Sequence, residues 1–210
     1  GSRLDASLSE MLPDYSRSKI TAWIKSGDAL INQKPFKPKD KVNGNEVVYL
    51  TLNQKQSNNW LAEKIPLNIV YEDEDIIVIN KQFGLVTHPG AGNSRGTLAN
   101  ALLYYDSSLS FLDRAGIVHR LDKNTSGLMV IARNERSQKY LVEQLQNHSV
   151  EREYSAIVYG HMIAGGTVDQ PIGRDPKDRV KQAVLTHGKE AKTHYRAIDR
   201  FKSHTHVKAI

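Results

Sequence analysis

The sequence predicts an α+β protein built in two parts, and three observations carry that prediction. Two stretches with helical apolar spacing open the chain, and short strand-like runs follow them. Residues 51–66 lack steady periodicity and are rich in Asn and Gln, as an inter-domain linker is. Beyond residue 66, helical and strand patterns mix without the strict alternation that builds a parallel sheet. The expected division is a small domain over residues 3–50, a linker over 51–66 and a larger domain over 67–210. A chain of 210 residues is long enough for two such cores, one of them small.

Composition narrows the class. Hydrophobic content of 39% and charged content of 25% are those of a soluble globular protein. A formal net charge of +6 and a pI near 9.4 favour an anionic partner such as RNA. The absence of cysteine excludes disulfides and thiolate metal sites and is compatible with the cytosol. No apolar run has the length of a membrane span and no secretory signal opens the chain, so a cytoplasmic protein without a membrane is expected. Gly1-Ser2 reads as the scar of an expression tag.

In the first part, Leu4, Leu8, Met11 and Leu12 fall at i, i+4, i+7 and i+8 and predict one apolar helix face, ended by Pro13. Ser16 is placed to cap a second helix that buries Ile20, Trp23 and Ile24. Gly27 punctuates, residues 29–32 read as a short strand turning at Gln33-Lys34, and residues 46–50 read as a closing strand. The start of the second helix offers free N–H groups and a positive dipole end. Arg17 and Lys19 flank that point, so a phosphate can sit there; the alternative is that Arg17, Lys19 and Lys25 form a solvated helix face. Lys37, Lys39 and Lys41 make a basic loop, readable as phosphate contacts or as a solubilising edge. Trp60 either anchors the end of the linker or stacks on a base.

In the second part, residues 69–71 and 76–79 read as strands around an acidic turn. Thr97 caps a helix carrying Leu98, Ala101, Leu102 and Tyr105, and residues 135–148 form another with Tyr140, Leu141, Val142 and Leu145 inward. A strand over 153–159, a turn at Gly165-Gly166, a basic solvent-facing arm over 174–192 and a strand near 194–198 complete the pattern. Gly90-Ala91-Gly92 is no nucleotide-binding P-loop, because no Walker-type lysine and hydroxyl follow it. His204 and His206 alternate on one strand face without an identifiable third ligand, so no metal site is expected.

The most informative run is Gly116-Ile-Val-His-Arg-Leu-Asp-Lys-Asn-Thr-Ser-Gly-Leu-Met-Val-Ile-Ala132. It sets Asp122 among His119, Arg120 and Lys123 in a short polar turn between apolar stretches. A carboxylate at the edge of a core beside cations is kept ionised and aimed. By spacing alone, Asp-Lys-Asn-Thr is equally an ordinary turn whose aspartate only caps it.

The wording of the run adds what spacing does not. His119-Arg120-Leu121-Asp122 followed by Thr125-Ser126-Gly127-Leu128-Met129 resembles the signature of the RluA-type pseudouridine synthases. Ile79-Asn80-Lys81, Val86-Thr87-His88-Pro89-Gly90 and Gly96-Thr97 through Leu103 resemble the family's upstream block, with Gln82 where proline is usual. Arg152-Glu153-Tyr154 through Gly160 is similar to the block that supplies its tyrosine. Residues 3–50, with Arg3-Leu4-Asp5 and Ser16-Arg17-Ser18, resemble the S4 RNA-binding domain.

The resemblance implies an S4 domain followed by a mixed, largely antiparallel catalytic domain that isomerises uridine to pseudouridine without a cofactor. It implies Asp122 as the essential residue, attacking C1′, attacking the base, or removing a ribose proton. Tyr154 would lie on the target base. Arg120 would contact phosphate or fill the gap left by the flipped nucleotide. His119 and His88 read as scaffold. Ser16, Arg17, Lys19, Lys37 and Lys39 would contact RNA, expected to be 23S rRNA or a precursor of the large ribosomal subunit, bound by a monomer.

The family's catalytic domain continues into a Thr-Gly-Arg-Thr-His-Gln-Ile-Arg type block whose arginine pairs with the aspartate. The sequence reaches Ile210 where that block should begin, so it is read as the N-terminal part of that domain. A product ending there is expected to have an open sheet edge and to be unstable and inactive. The second class of function is accordingly a non-catalytic RNA-binding protein or inactive fragment that keeps the S4 domain.

Overall fold

The computed structural model describes residues 1–51, 59–90, 92–178 and 181–210, so residues 52–58 of the expected linker lie outside the described residues. The chain falls into two compact units, Gly1–Asn147 and His148–Ile210.

The first unit begins with β1 (Ser2–Arg3), α1 (Leu4–Met11), α2 (Arg17–Ser26), β2 (Ala29–Ile31), β3 (Lys41–Val42) and β4 (Val48–Leu50). β1 pairs with β3 and β2 with β4, both antiparallel. Leu4, Leu8, Ile20, Ile24, Ala29 and Ile31 form its core, with Leu12, Tyr15 and Trp23 packed against it. The expected face of α1 holds except at Met11, which is 68% exposed. The helix stops there, and the non-helical backbone of Leu12 turns that side chain to the core in its place. Ser16 caps α2, its hydroxyl accepting the Lys19 N–H at 3.2 Å, and Gly27 closes the helix in the left-handed conformation at φ 79°.

The same unit continues with β5 (Ile69–Glu72), β6 (Ile76–Lys81), α3 (Leu98–Tyr105), β7 (Gly127–Ala132) and α4 (Glu135–Gln146). The strands form one antiparallel sheet in the order β5-β6-β7. The β5–β6 turn is tied by Asp73, whose carboxylate accepts the N–H groups of Asp75 and Ile76, each at 2.8 Å. Ile77, Ile79, Met129 and Ile131 pack on Leu98, Leu102 and Leu109. Thr97 and Asn100 cap α3 reciprocally.

Two aromatic residues of the expected helices, Tyr105 and the expected inward Tyr140, face water. Tyr105 is exposed, its hydroxyl donating to Glu72 at 2.6 Å. Tyr140 is 61% exposed. The inward stripe of α4 runs through Ser137, Leu141 and Leu145 at four-residue spacing, which leaves Tyr140 a hundred degrees off it.

The second unit contains β8 (Tyr154–Tyr159), β9 (Gly166–Asp169), β10 (Ile172–Arg174), β11 (Gln182–Val184), β12 (Lys192–Arg200) and β13 (His204–Ala209). Four strands pair antiparallel in the order β8-β13-β12-β9, with a bulge in β12 between Ala197 and Asp199. The expected arm over 174–192 instead carries half of a hairpin, since Arg174 of β10 pairs with Gln182 of β11. Its ladder comes from backbone hydrogen bonds, which a basic and polar composition does not announce.

His206 is engaged on both ring nitrogens, with Asp199 at 3.1 Å and Ser155 at 2.6 Å. Among the described residues, no group of three His, Asp or Glu side chains is arranged to hold a metal, and no helix is long and apolar enough to cross a membrane.

Candidate active site

The turn bearing Asp122 is built from its flanks inward. Gly116 sits at φ 77°, and a Cβ there would collide with the Ala132 carbonyl oxygen, so the chain can pass β7 this closely only at glycine. Ile117 bridges Ile131 of β7. The Val130 N–H donates to His119 Nε2 at 3.1 Å, which makes His119 a scaffold residue and places the acceptor tautomer at Nε2. Leu121 is buried, and its carbonyl accepts the Thr87 hydroxyl at 2.9 Å. The Thr125 N–H donates to the Asp122 carbonyl at 3.0 Å and closes the turn. Backbone and scaffold are thus held on both sides of Asp122, while its side chain is 86% exposed.

Arg120 is also exposed, at 73%, as is Lys123, and the Arg120 Nη2 stands 3.9 Å from Asp122 Oδ1. That separation is an ion pair without a hydrogen bond. At such exposure the attraction is weak, which leaves both groups free to meet a ligand.

Beneath the turn lies a residue whose environment sequence reasoning missed. Lys81, at the end of β6, is only 1% exposed. Its Nζ donates to the carbonyl oxygens of Leu85 at 2.9 Å, Gln82 at 3.1 Å and Lys123 at 3.4 Å. The Gly84 N–H adds a 2.8 Å bond to the same Lys123 carbonyl. Burial pushes the Lys81 ammonium below the usual lysine range, and the charge of Asp122 opposes that shift. A signal was present: Ile77, Ile79 and Lys81 alternate along one strand face, and the first two are core.

His88 is half-buried with its ring centroid 6.0 Å from that of Trp60, and its Nε2 has no hydrogen-bond partner among the described residues. Burial lowers its pKa from the ordinary histidine value, with the charges of Arg114 and Arg120 acting the same way. Trp60 is half-buried against the core of the β5-β6-β7 sheet.

At the N-terminal end of α2, Arg17 does not stand alone. Its guanidinium and that of Arg3 share the buried carboxylate of Asp5, at 3.1 Å and 2.8 Å. The Arg3 hydrogen bond, reinforced by Arg17, holds the Asp5 carboxyl down to about 2 against the opposing effect of burial. Both arginines remain half exposed. Lys19 pairs with Glu135 and also lies 5.6 Å from the Trp23 ring centroid. Lys37 and Lys39 are exposed on their loop, which the Asp40 side chain ties by accepting the Lys37 N–H at 2.8 Å. The structure therefore brings Asp122 and Arg120 together in one turn and Ser16, Arg17 and Lys19 together at one helix end. Tyr154 belongs to the second unit, where it opens β8 opposite Ala209 of β13.

Comparison with known proteins agrees with this geometry. The model of the RNA pseudouridylate synthase family matches residues 75–210, and that of the S4 domain matches residues 2–48. The ribosomal large subunit pseudouridine synthase D of Xanthomonas campestris pv. campestris is 50% identical over 205 residues, covering 98% of this chain and 62% of that protein. Its namesake in Escherichia coli K12 is 52% identical over 209 residues, covering 99% of this chain and 64% of that protein. The chain thus spans a little under two thirds of the length of these relatives. The fold is shared with human RNA pseudouridylate synthase domain containing 1, at a TM-score of 0.55 and 22% identity over 69% of this chain and 58% of that one. A family match over residues 75–210, close relatives along nearly the whole chain and a shared fold lead to one conclusion: the chain belongs to the RNA pseudouridylate synthase family and carries an S4 domain at its N-terminal end.

Proposed function

We propose that this protein isomerises uridine to pseudouridine in RNA, with 23S rRNA or a precursor of the large ribosomal subunit as its substrate. The observation that carries the reading is Asp122: a carboxylate exposed to a ligand on a turn whose backbone is fixed from both sides. Close relatives named as ribosomal large subunit pseudouridine synthases support the choice of substrate.

The reaction breaks the N1–C1′ bond, turns the base, joins C5 to C1′ and releases the C5 proton, while N1 takes up a proton in its place. Reactant and product are isomers, so no electron or group is left over. Asp122 initiates it by attacking C1′ or the base as a nucleophile, or by taking a ribose proton; each route needs the ionised carboxylate. C1′ and C5 are unreachable in a stacked helix, so the nucleotide must flip out. Arg120, an exposed cation of the same turn, is assigned to a backbone phosphate or to the vacated stack. Tyr154 is assigned to the face of the flipped base.

RNA is held further away by the S4 domain through Arg17 at the α2 N-terminus that Ser16 caps, with Lys37 and Lys39 on the neighbouring loop. Lys19 contributes when phosphate displaces Glu135 from it. A domain arrangement of 3–50, 51–66 and 67–210, a cytoplasmic location and a monomeric state complete the proposal.

The test is pseudouridine formation in bulk 23S rRNA by the natural-length protein and its Asp122→Asn variant. The expected result is formation by the first, none by the second, and equal RNA binding by both. RNA binding without pseudouridine from either protein would replace the enzyme with a binding module.

A further inference from the structure

We propose that Lys81 is the positioning residue of the Asp122 turn: its ammonium joins the segment Gln82–Leu85 to the segment Leu121–Thr125 and so sets where the carboxylate is presented. The inference rests on the reading of Asp122 as the reacting group.

Lysine is almost never fully buried unless paired, because its charge loses its water. Lys81 is buried among the largest core side chains, and the acceptors it meets are main-chain carbonyls rather than a carboxylate. An ammonium has three donors, and here three carbonyl oxygens receive them. Two of those carbonyls lie just beyond β6. The third, Lys123, is 42 residues further along and directly follows Asp122. Volume alone would be supplied by methionine without the desolvation cost, so a charge kept at this spot is poorly explained as packing.

What the ammonium does that methionine cannot is bind two chain segments at one point, with the Gly84 N–H as a second tie to the same Lys123 carbonyl. The carboxylate itself is held by no hydrogen bond from the Arg120 guanidinium, which stands 3.9 Å away. Its aim therefore depends on its backbone, and the backbone depends on the clamp. The opposing influences of burial and the Asp122 charge on Lys81 agree with an ammonium lying close under that carboxylate.

The experiment uses Lys81→Met and Lys81→Gln in the natural-length protein. Amide hydrogen exchange is expected to accelerate at least about tenfold at Gly84 and Thr125 while the ladder amides of β6 and β7 keep their protection. On 23S rRNA, kcat is expected to fall roughly 10- to 100-fold with KM changed less than about twofold, because misplacement by an ångström costs on that order. Lys81→Gln, which keeps two donors without the charge, should fall between methionine and the parent. Unchanged exchange at Gly84 and Thr125 overturns the proposal, as does acceleration shared equally by β6 and β7. Failure of both variants to fold overturns it too, by assigning Lys81 to core stability. A parent protein that forms no pseudouridine would sink the reading of Asp122, and the exchange rates would still decide the clamp.

Discussion

The Thr87 hydroxyl donates a 2.9 Å hydrogen bond to the carbonyl oxygen of Leu121, and both residues are buried. Leu121 precedes Asp122, so this bond ties the Asp122 turn to the segment before α3. Thr87→Val keeps the shape and removes the donor, leaving a buried carbonyl unsatisfied. The expected cost is about 1–3 kcal/mol, read as a lower denaturant midpoint at constant slope. Thr87→Ser should recover most of it. A midpoint within error of the parent would show that the carbonyl finds another donor.

Gly116 opens the same run in a conformation that side chains rarely adopt, against the Ala132 carbonyl. Gly116→Ala combines backbone strain with a collision against main chain that cannot rotate away. Destabilisation of more than about 3 kcal/mol is expected, seen as a large drop in Tm or loss of soluble protein. A small drop would mean that the chain can yield where it passes β7.

Asp5 makes the N-terminal domain sensitive to acid in a defined direction. Its carboxyl is lowered to about 2 from an ordinary 3.8, so the stability it contributes is complete above 3.8 and disappears as pH falls through about 2. The Tm difference between the parent and Asp5→Asn should be full at pH 5 and narrow steadily toward pH 2. An Asp5 carboxyl that titrates near 4 by NMR would contradict the shared grip of Arg3 and Arg17.

Arg17 gives a test of the S4 assignment that needs no turnover. Arg17→Ala should weaken binding to RNAs of different sequence alike and reduce the slope of log affinity against log salt by about 0.7–0.9. Arg3 stays on Asp5 in that variant, so the melting transition should move little. An unchanged salt slope would place the phosphate elsewhere on the domain.

Much of this was legible in the sequence because periodicity and capping are local. Ser16 and Thr97 cap the helices they precede, and Leu4, Leu8, Ile20 and Ile24 are core. Misreadings arose where burial depends on what lies across the helix. Met11, Tyr105 and Tyr140 fit an apolar stripe by type, yet Met11 and Tyr105 are the last residues of α1 and α3, and Tyr140 lies off the narrow buried face of α4. The β10–β11 hairpin escaped because its strands are three residues each, Ile172-Gly-Arg174 and Gln182-Ala-Val184, too short to show an alternation within a basic stretch. The Asp122 turn was readable from its wording, whereas Lys81 was hidden by a habit of counting lysine as surface. Its position two residues after Ile79 already put it inside.

That position has a bearing on how the chain finds its native pairing. Side chains alternate along β6, so a slip of one residue against β7 would turn Ile77, Ile79 and Lys81 outward together and bring Asn80 inward. In the slipped arrangement the ammonium would lose the carbonyls of Leu85 and Lys123 at the moment the apolar side chains lost their core. The lysine therefore acts as a proofreader of register: only the pairing Lys81 to Gly127 lets the strand and the turn beyond it be correct at once.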